Sequence, residues 1–189
     1  LEDPCRLADC IGETLRMLHE LDCSDCPVTD HTACYLARAE RNYRAGLFDR
    51  TGLSPTLTPQ TAEAAWHILQ AGKSMLQNEV LLHGDYCLPN VMLDNWKLSG
   101  FIDLGNGGVG DRHVDLYWGA WTLCFNLKTD RYRNRFLDAY GRDAIDIDLA
   151  ADLAQRTGAG FLTIDADIPV ARRQIDSLSR FVCIEDDHD

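Results

Sequence analysis

The hydrophobic period of this chain changes at Glu79, and that change limits the possible fold more than any other feature. Before it, apolar residues recur at helical spacing. Leu7, Cys10, Ile11, Leu15, Leu18 and Leu21 follow the cap-and-proline pair Asp3-Pro4, which predicts an amphipathic helix over residues 4–21. A polar stretch around Pro27 breaks it. A second helix is expected from Ala33 to Ala45, capped by Gly46, and Thr58-Pro59 opens a third that runs to about Asn78. After Glu79, the runs 80–82, 91–93 and 97–102 read as strands of one small sheet, the last two joined at the turn pair Asp94-Asn95. A glycine-dense turn (Gly105, Gly107, Gly108, Gly110) precedes a buried helix at about 113–126 and another at 130–140. The order predicts an α+β fold that is mostly helical, with a small antiparallel β element whose strand ends carry polar residues.

Composition removes several function classes. Eighteen Lys and Arg against thirty Asp and Glu leave a net charge of −12. Such a surface repels phosphate backbones and anionic headgroups, so neither nucleic acid nor membrane is an expected partner, whereas a polycationic small molecule is attracted. The longest apolar run, Leu116 to Phe125, is about half of the ~20 residues a membrane span needs. The opening Leu1-Glu2-Asp3-Pro4 has no basic start, apolar stretch or cleavage site, so no secretion signal is expected and the cytoplasm is the expected compartment.

The eight cysteines carry less information than their number suggests. At this frequency about 0.3 CxxC pairs arise by chance, so Cys23-Ser24-Asp25-Cys26 is a weak signal. With His31 and Cys34 it spells a zinc-compatible spacing. The alternative is that Cys10, Cys87 and Cys124 are small buried hydrophobes in a reducing compartment. Trp66, Trp96, Trp118 and Trp121 are read as core or packing residues.

The chemistry concentrates between residues 83 and 115. His83-Gly84-Asp85-x4-Asn90 is expected on the order of 0.002 times by chance from this chain's own frequencies. Asp103 stands 18 residues beyond Asp85, at a strand end. Phosphoryl transfer from ATP needs a group that orients and accepts a proton from an attacking hydroxyl, and oxygen ligands that hold Mg²⁺ against the triphosphate. Asp85 suits the first task, and Asn90 and Asp103 suit the second, because Mg²⁺ is usually held by one or two protein oxygens with phosphate and water. His83 is grouped with Asp85 as a catalytic residue that shapes the loop through ring hydrogen bonds, and Gly84 permits a turn where a Cβ would clash. Asp115, at the start of an apolar helix, is expected to be structural. Asp111 and Arg112 are candidate substrate contacts.

These residues resemble a known family. His83-Gly84-Asp85-x4-Asn90 followed by Gly100-Phe101-Ile102-Asp103-Leu104-Gly105 looks like the catalytic and metal loops of aminoglycoside phosphotransferases of the kanamycin-kinase type, which share the protein-kinase-like fold. Leu15 to Asp22, Cys26-Pro27 and the segment Gly110 to Leu116 are similar to the same family. The resemblance covers roughly residues 5–149. It implies a C-terminal catalytic lobe of that fold, with Asp85 as base, Asn90 and Asp103 as ligands of Mg²⁺, ATP as donor and an antibiotic hydroxyl as acceptor, hence antibiotic resistance.

Two departures from the family shape the remaining expectations. No stretch before residue 4 supplies the β-rich nucleotide lobe, so residues 1–149 are expected to be a catalytic lobe alone, with weak ATP binding, little turnover, and an apolar docking face that favours self-association. Residues 150–189 do not match the family; they are read as a largely helical extension packed on the lobe, ending in the acidic tip Glu185 to Asp189. Cys124 and Phe125 stand where polar substrate contacts would be expected. Two rival functions remain: a kinase of the same fold acting on choline, a sugar or a macrolide, and a noncatalytic module holding zinc on Cys23, Cys26, His31 and Cys34.

Overall fold

A computed structural model describes residues 3–47 and 61–145. The expectations for 150–189, and the Thr58-Pro59 helix start, lie outside the described residues. The described residues fall into two compact units, one of residues 3–31 and 78–145 and one of 32–47 and 61–77.

The first unit is built on three helices, α1 (Pro4–His19), α4 (His113–Leu127) and α5 (Arg133–Tyr140). Helix α1 starts as its sequence dictates: the Asp3 side chain accepts from the Arg6 amide at 3.0 Å and Pro4 follows it. It ends at His19, two residues before the predicted limit, and buries Leu7, Ala8, Ile11, Leu15 and Leu18. Phe136 of α5 is the keystone of the packing. It is fully buried, which contributes about 1.5–3 kcal/mol of hydrophobic stabilisation. Glycines admit it from both sides: a Cβ on Gly12 of α1 would lie 2.5 Å from the Phe136 carbonyl oxygen, and one on Gly119 of α4 would lie 2.5 Å from the Phe136 ring. Helix α4 is buried on one side only. Its outer side exposes Cys124 and Phe125, so Cys124 is not the buried hydrophobe its apolar neighbours suggested. The four tryptophans are half-buried rather than core residues; Trp118, Trp121 and Phe125 form an aromatic ladder along α4.

The β element is two antiparallel ribbons rather than one sheet. Strand β2 (Val91–Asp94) pairs with β3 (Lys97–Phe101), as the Asp94-Asn95 turn predicts, with Val91 opposite Phe101. Strand β1 (Val80–Leu82) pairs instead with β4 (Gly108–Gly110), Leu82 opposite Gly108. The glycine-rich β4 has no alternating side chains to betray a strand. Its glycines serve close approach: a Cβ on Gly108 would sit 2.6 Å from the Val28 side chain, and the Val109 amide donates to the Val28 carbonyl at 2.7 Å. The tip of the β2–β3 ribbon is fastened to α1. The Arg6 guanidinium lies 4.8 Å over the Trp96 ring, and the Cys10 thiol donates to the Trp96 carbonyl at 3.5 Å.

The second unit contains α2 (His31–Arg44) and α3 (Ala62–Gly72). Thr61 caps α3, its hydroxyl accepting from the Ala64 amide, and the helix stops at Gly72, before the predicted Asn78, in a 3₁₀ turn over Lys73–Met75. Tyr43 stacks on Trp66 at 4.6 Å between ring centres. Among the described residues no helix is long and apolar enough to cross a membrane.

Candidate active site

The loop between β1 and β2 is set by one left-handed glycine. Gly84 has φ +83°, and a Cβ there would fall 2.0 Å from the Asn106 carbonyl oxygen. No side chain fits. Gly84→Ala is therefore expected to destabilise the unit by more than about 2 kcal/mol, combining left-handed strain with a backbone clash. A urea melt reads this as a lower midpoint at unchanged slope, and a midpoint shift below the equivalent of about 0.5 kcal/mol rejects the tight contact.

Beneath the loop, Asp115 accepts two backbone bonds, from the His83 amide at 2.6 Å and the Gly84 amide at 2.9 Å. It is fully buried and also meets His19 Nε2 at 3.3 Å. The His19 ring continues to Tyr140, whose hydroxyl lies 2.8 Å from Nδ1. Tyr86, the other buried phenol of the loop, donates to the Ile11 carbonyl at 2.7 Å. Burial, reinforced by Asp115, pushes the Tyr86 phenol well above its ordinary value, so it acts as a neutral anchor.

The upper side of the loop gathers the oxygen groups. Asn90 closes a 3₁₀ turn over Leu88–Asn90, and its side-chain Nδ2 donates to Asp85 twice, to Oδ2 at 2.9 Å and to the main-chain oxygen at 3.0 Å. The Asn90 carbonyl accepts from the Ile102 amide at 3.0 Å, which draws the end of β3 alongside. Asp103 follows immediately, exposed and left-handed at φ 58° and ψ 53°. Asp85, Asn90 and Asp103 are thus joined by a short chain of bonds. Because Nδ2 of Asn90 is committed to Asp85, its Oδ1 is the atom left for a cation, and the Asp103 carboxylate, one residue beyond Ile102, is the second candidate donor. Two hard oxygen donors suit Mg²⁺, which keeps much of its shell for phosphate and water. Met92, Ile102 and Leu104 are about half exposed around them.

Several residues sit differently from expectation. His83 is fully buried, with Nε2 at 3.0 Å from the Ile102 carbonyl and Nδ1 accepting from the Asp85 amide at 3.3 Å. Both nitrogens are occupied, so His83 shapes the loop and has no atom to offer a reactant. Asp111 is buried, and its carboxylate accepts from the His113 amide and meets His113 Nδ1 at 2.7 Å. Arg112 turns inward to Glu79 at 2.7 Å and to the Tyr140 hydroxyl at 3.4 Å. Neither presents its polar group as a substrate contact would. Burial opposes the Arg112 charge, but the bond to Glu79, with Tyr140 and the Glu79 charge, outweighs it and holds its pKa above the ordinary value.

The zinc arrangement is not assembled. No group of three or more His, Cys, Asp or Glu side chains that could hold a metal occurs among the described residues. His31 Nε2 instead pairs with the Asn106 carbonyl at 2.6 Å, Cys26 donates to the Val28 carbonyl, and Cys34 is exposed.

Sequence reasoning passed over His19 and Tyr140 as site-supporting residues. The available signal was a histidine four residues after Leu15, on the buried stripe of α1, where a polar ring needs partners. Tyr140 was hidden among the apolar residues of α5.

A family model for the phosphotransferase enzyme family matches residues 2–153. The chain belongs to the phosphotransferase enzyme family. Among its curated relatives, a probable aminoglycoside 3'-phosphotransferase of Lactococcus lactis is 52% identical over 148 residues, covering 78% of this chain and 56% of the relative. An aminoglycoside 3'-phosphotransferase of Niallia circulans is 38% identical over 137 residues, covering 72% and 52%. The chain therefore spans about half the length of these relatives. The crystal structure of a type VIII aminoglycoside 3'-phosphotransferase superposes with a TM-score of 0.64 at 23% identity, over 95% of this chain and 62% of that one. A Streptomyces rimosus aminoglycoside phosphotransferase in complex with ADP and streptomycin gives 0.63 at 22% identity, over 93% and 61%. The chain thus has the mostly helical fold with small antiparallel sheets seen in these aminoglycoside phosphotransferase structures.

Proposed function

We propose that this phosphotransferase takes part in moving the γ-phosphoryl group of ATP to a hydroxyl of an aminoglycoside. The carrying observation is the Asn90 side chain, bonded to Asp85 on one side while its backbone holds the strand end before Asp103 on the other. That arrangement supports reading Asp85 as the base and Asn90 and Asp103 as the magnesium ligands, on two loops tied by backbone bonding. The relatives' names supply the acceptor class, and a net charge of −12 suits a polycation.

In this reading each residue has a limited task. Asp85 orients the acceptor hydroxyl and takes its proton, using the carboxylate oxygen that Asn90 does not occupy. Asn90 Oδ1 and the Asp103 carboxylate hold Mg²⁺. When bound, Mg²⁺ and ATP supply the phosphoryl group and neutralise the charge that develops on it. His83, Gly84 and Asp115 keep Asp85 in place, since a misplacement of about 1 Å at a reacting centre can cost on the order of 10²-fold in rate.

Two measurements test the proposal. Calorimetric titration of the 189-residue chain with kanamycin should show saturable binding, weakened as salt screens the acidic surface. Joined to the nucleotide-binding lobe of a relative, the chain should transfer phosphate from ATP to kanamycin in a Mg²⁺-dependent way, and a 3'-deoxy acceptor should be a poor substrate. Failure of both binding and transfer rejects the reading. Efficient transfer to choline or a sugar, with none to aminoglycosides, would keep the chemistry and replace the acceptor.

A further inference from the structure

The bonds under the catalytic loop continue beyond Asp115 and have a direction that donor and acceptor chemistry fixes. Arg112 Nη1 can only donate, so the Tyr140 oxygen accepts from it at 3.4 Å. Tyr140 has one hydroxyl proton, and the polar atom left to receive it is His19 Nδ1 at 2.8 Å. A histidine that accepts at Nδ1 carries its proton on Nε2, which faces the Asp115 carboxylate at 3.3 Å. Asp115 in turn receives the His83 and Gly84 amides. At its other end the chain is closed by Glu79, which accepts from Arg112 Nε at 2.7 Å.

We propose that Tyr140 is a positioning residue for the catalytic loop: anchored by Arg112, its hydroxyl holds the His19 ring in the Nε2–H form and in the orientation that lets it donate to Asp115. The inference rests on the reading of the Asp85 loop as the phosphoryl-transfer loop. The geometry shows why the far end matters. The contact of His19 with Asp115 is the longer of the two the ring makes, and a ring held at one nitrogen only is free to turn about χ2. Tyr140 removes that freedom by holding the opposite nitrogen, and its edge-on packing against the imidazole, with ring centres 5.6 Å apart, supports the same pose. Tyr140 is itself almost fully buried. Burial raises its pKa while Arg112 pulls the other way, so it remains a neutral hydroxyl able to donate.

Tyr140→Phe isolates the hydroxyl, because the ring keeps its packing. In the 189-residue chain, ¹⁵N spectra of the His19 imidazole should show a protonated Nε2 and a hydrogen-bonded, unprotonated Nδ1; in the variant the Nδ1 resonance should move towards its unbonded position. Hydrogen exchange at the His83 and Gly84 amides should accelerate about tenfold, the expected loss for one bond in the chain, while amides in the Phe136 region stay unchanged. His19→Phe should accelerate the same two amides, and adding Tyr140→Phe to it should change nothing further, since the hydroxyl acts only through His19. A wild-type His19 protonated on Nδ1, unchanged loop exchange in Tyr140→Phe, or additive effects in the double variant would each overturn the proposal. None of these readouts uses nucleotide or acceptor, so they judge the relay separately from the phosphotransfer reading.

Discussion

Asp115→Ala is expected to destabilise the chain by about 3–5 kcal/mol, a large fraction of what holds a typical domain folded. The carboxylate is fully buried and serves three donors: the His83 amide, the Gly84 amide and His19 Nε2. Alanine leaves all three without an acceptor in a place water does not reach, and each stranded donor costs about 1–3 kcal/mol. Asp115→Asn should come close to alanine. An amide replaces one accepting oxygen with an NH₂ group that faces a donor. Chemical denaturation should show the midpoint falling with the slope preserved, and a loss under about 1 kcal/mol would mean that the loop is held by something other than Asp115.

Asp85→Asn should have the opposite profile. Its carboxamide oxygen can still accept from Asn90 Nδ2, so the loop keeps its bonding and stability should change by less than about 0.5 kcal/mol. What disappears is the proton acceptor, and removing a general base typically costs about 10²–10⁴ in rate. In the lobe-joined protein, kcat for kanamycin phosphorylation should drop by that factor with little change in KM, because the loss falls on the transition state rather than on binding. A variant that keeps more than about a tenth of the wild-type rate would remove Asp85 from the role of base. The two substitutions separate position from chemistry, since one should unfold the chain without touching reactive atoms and the other should silence it without unfolding.

The parts of this structure that were readable in the sequence share a physical cause. Helices α1, α2, α4 and α5 announce themselves because each buries a stripe, and periodicity is the record of that burial. The β2–β3 ribbon was readable from its turn pair, and the pairing of Asp85 with Asn90 from a spacing too rare to be accidental. Strand β4 was not readable, because the property that makes it a strand is the absence of side chains that would collide with Val28 and Leu82. Gly108, Val109 and Gly110 carry no period, so they read as a turn. The inward turn of Arg112 was likewise invisible, since it depends on Glu79 and Tyr140, one distant in each direction along the chain. The cysteine spacing misled for the converse reason. Cys23, Cys26, His31 and Cys34 are close in sequence, but each takes up its own local setting instead of a shared one.

Helix α1 meets both halves of the machinery, the ribbon tip through Arg6 and Cys10 near its start and the loop support through Ile11 and His19 further on. It works as a gauge block, with the thirteen helical steps from Arg6 to His19 setting a span of about 20 Å between the two attachments. One residue inserted between them would twist one attachment against the other by about 100°, so the length of the segment is fixed. Length variation compatible with activity must then accumulate elsewhere in the chain.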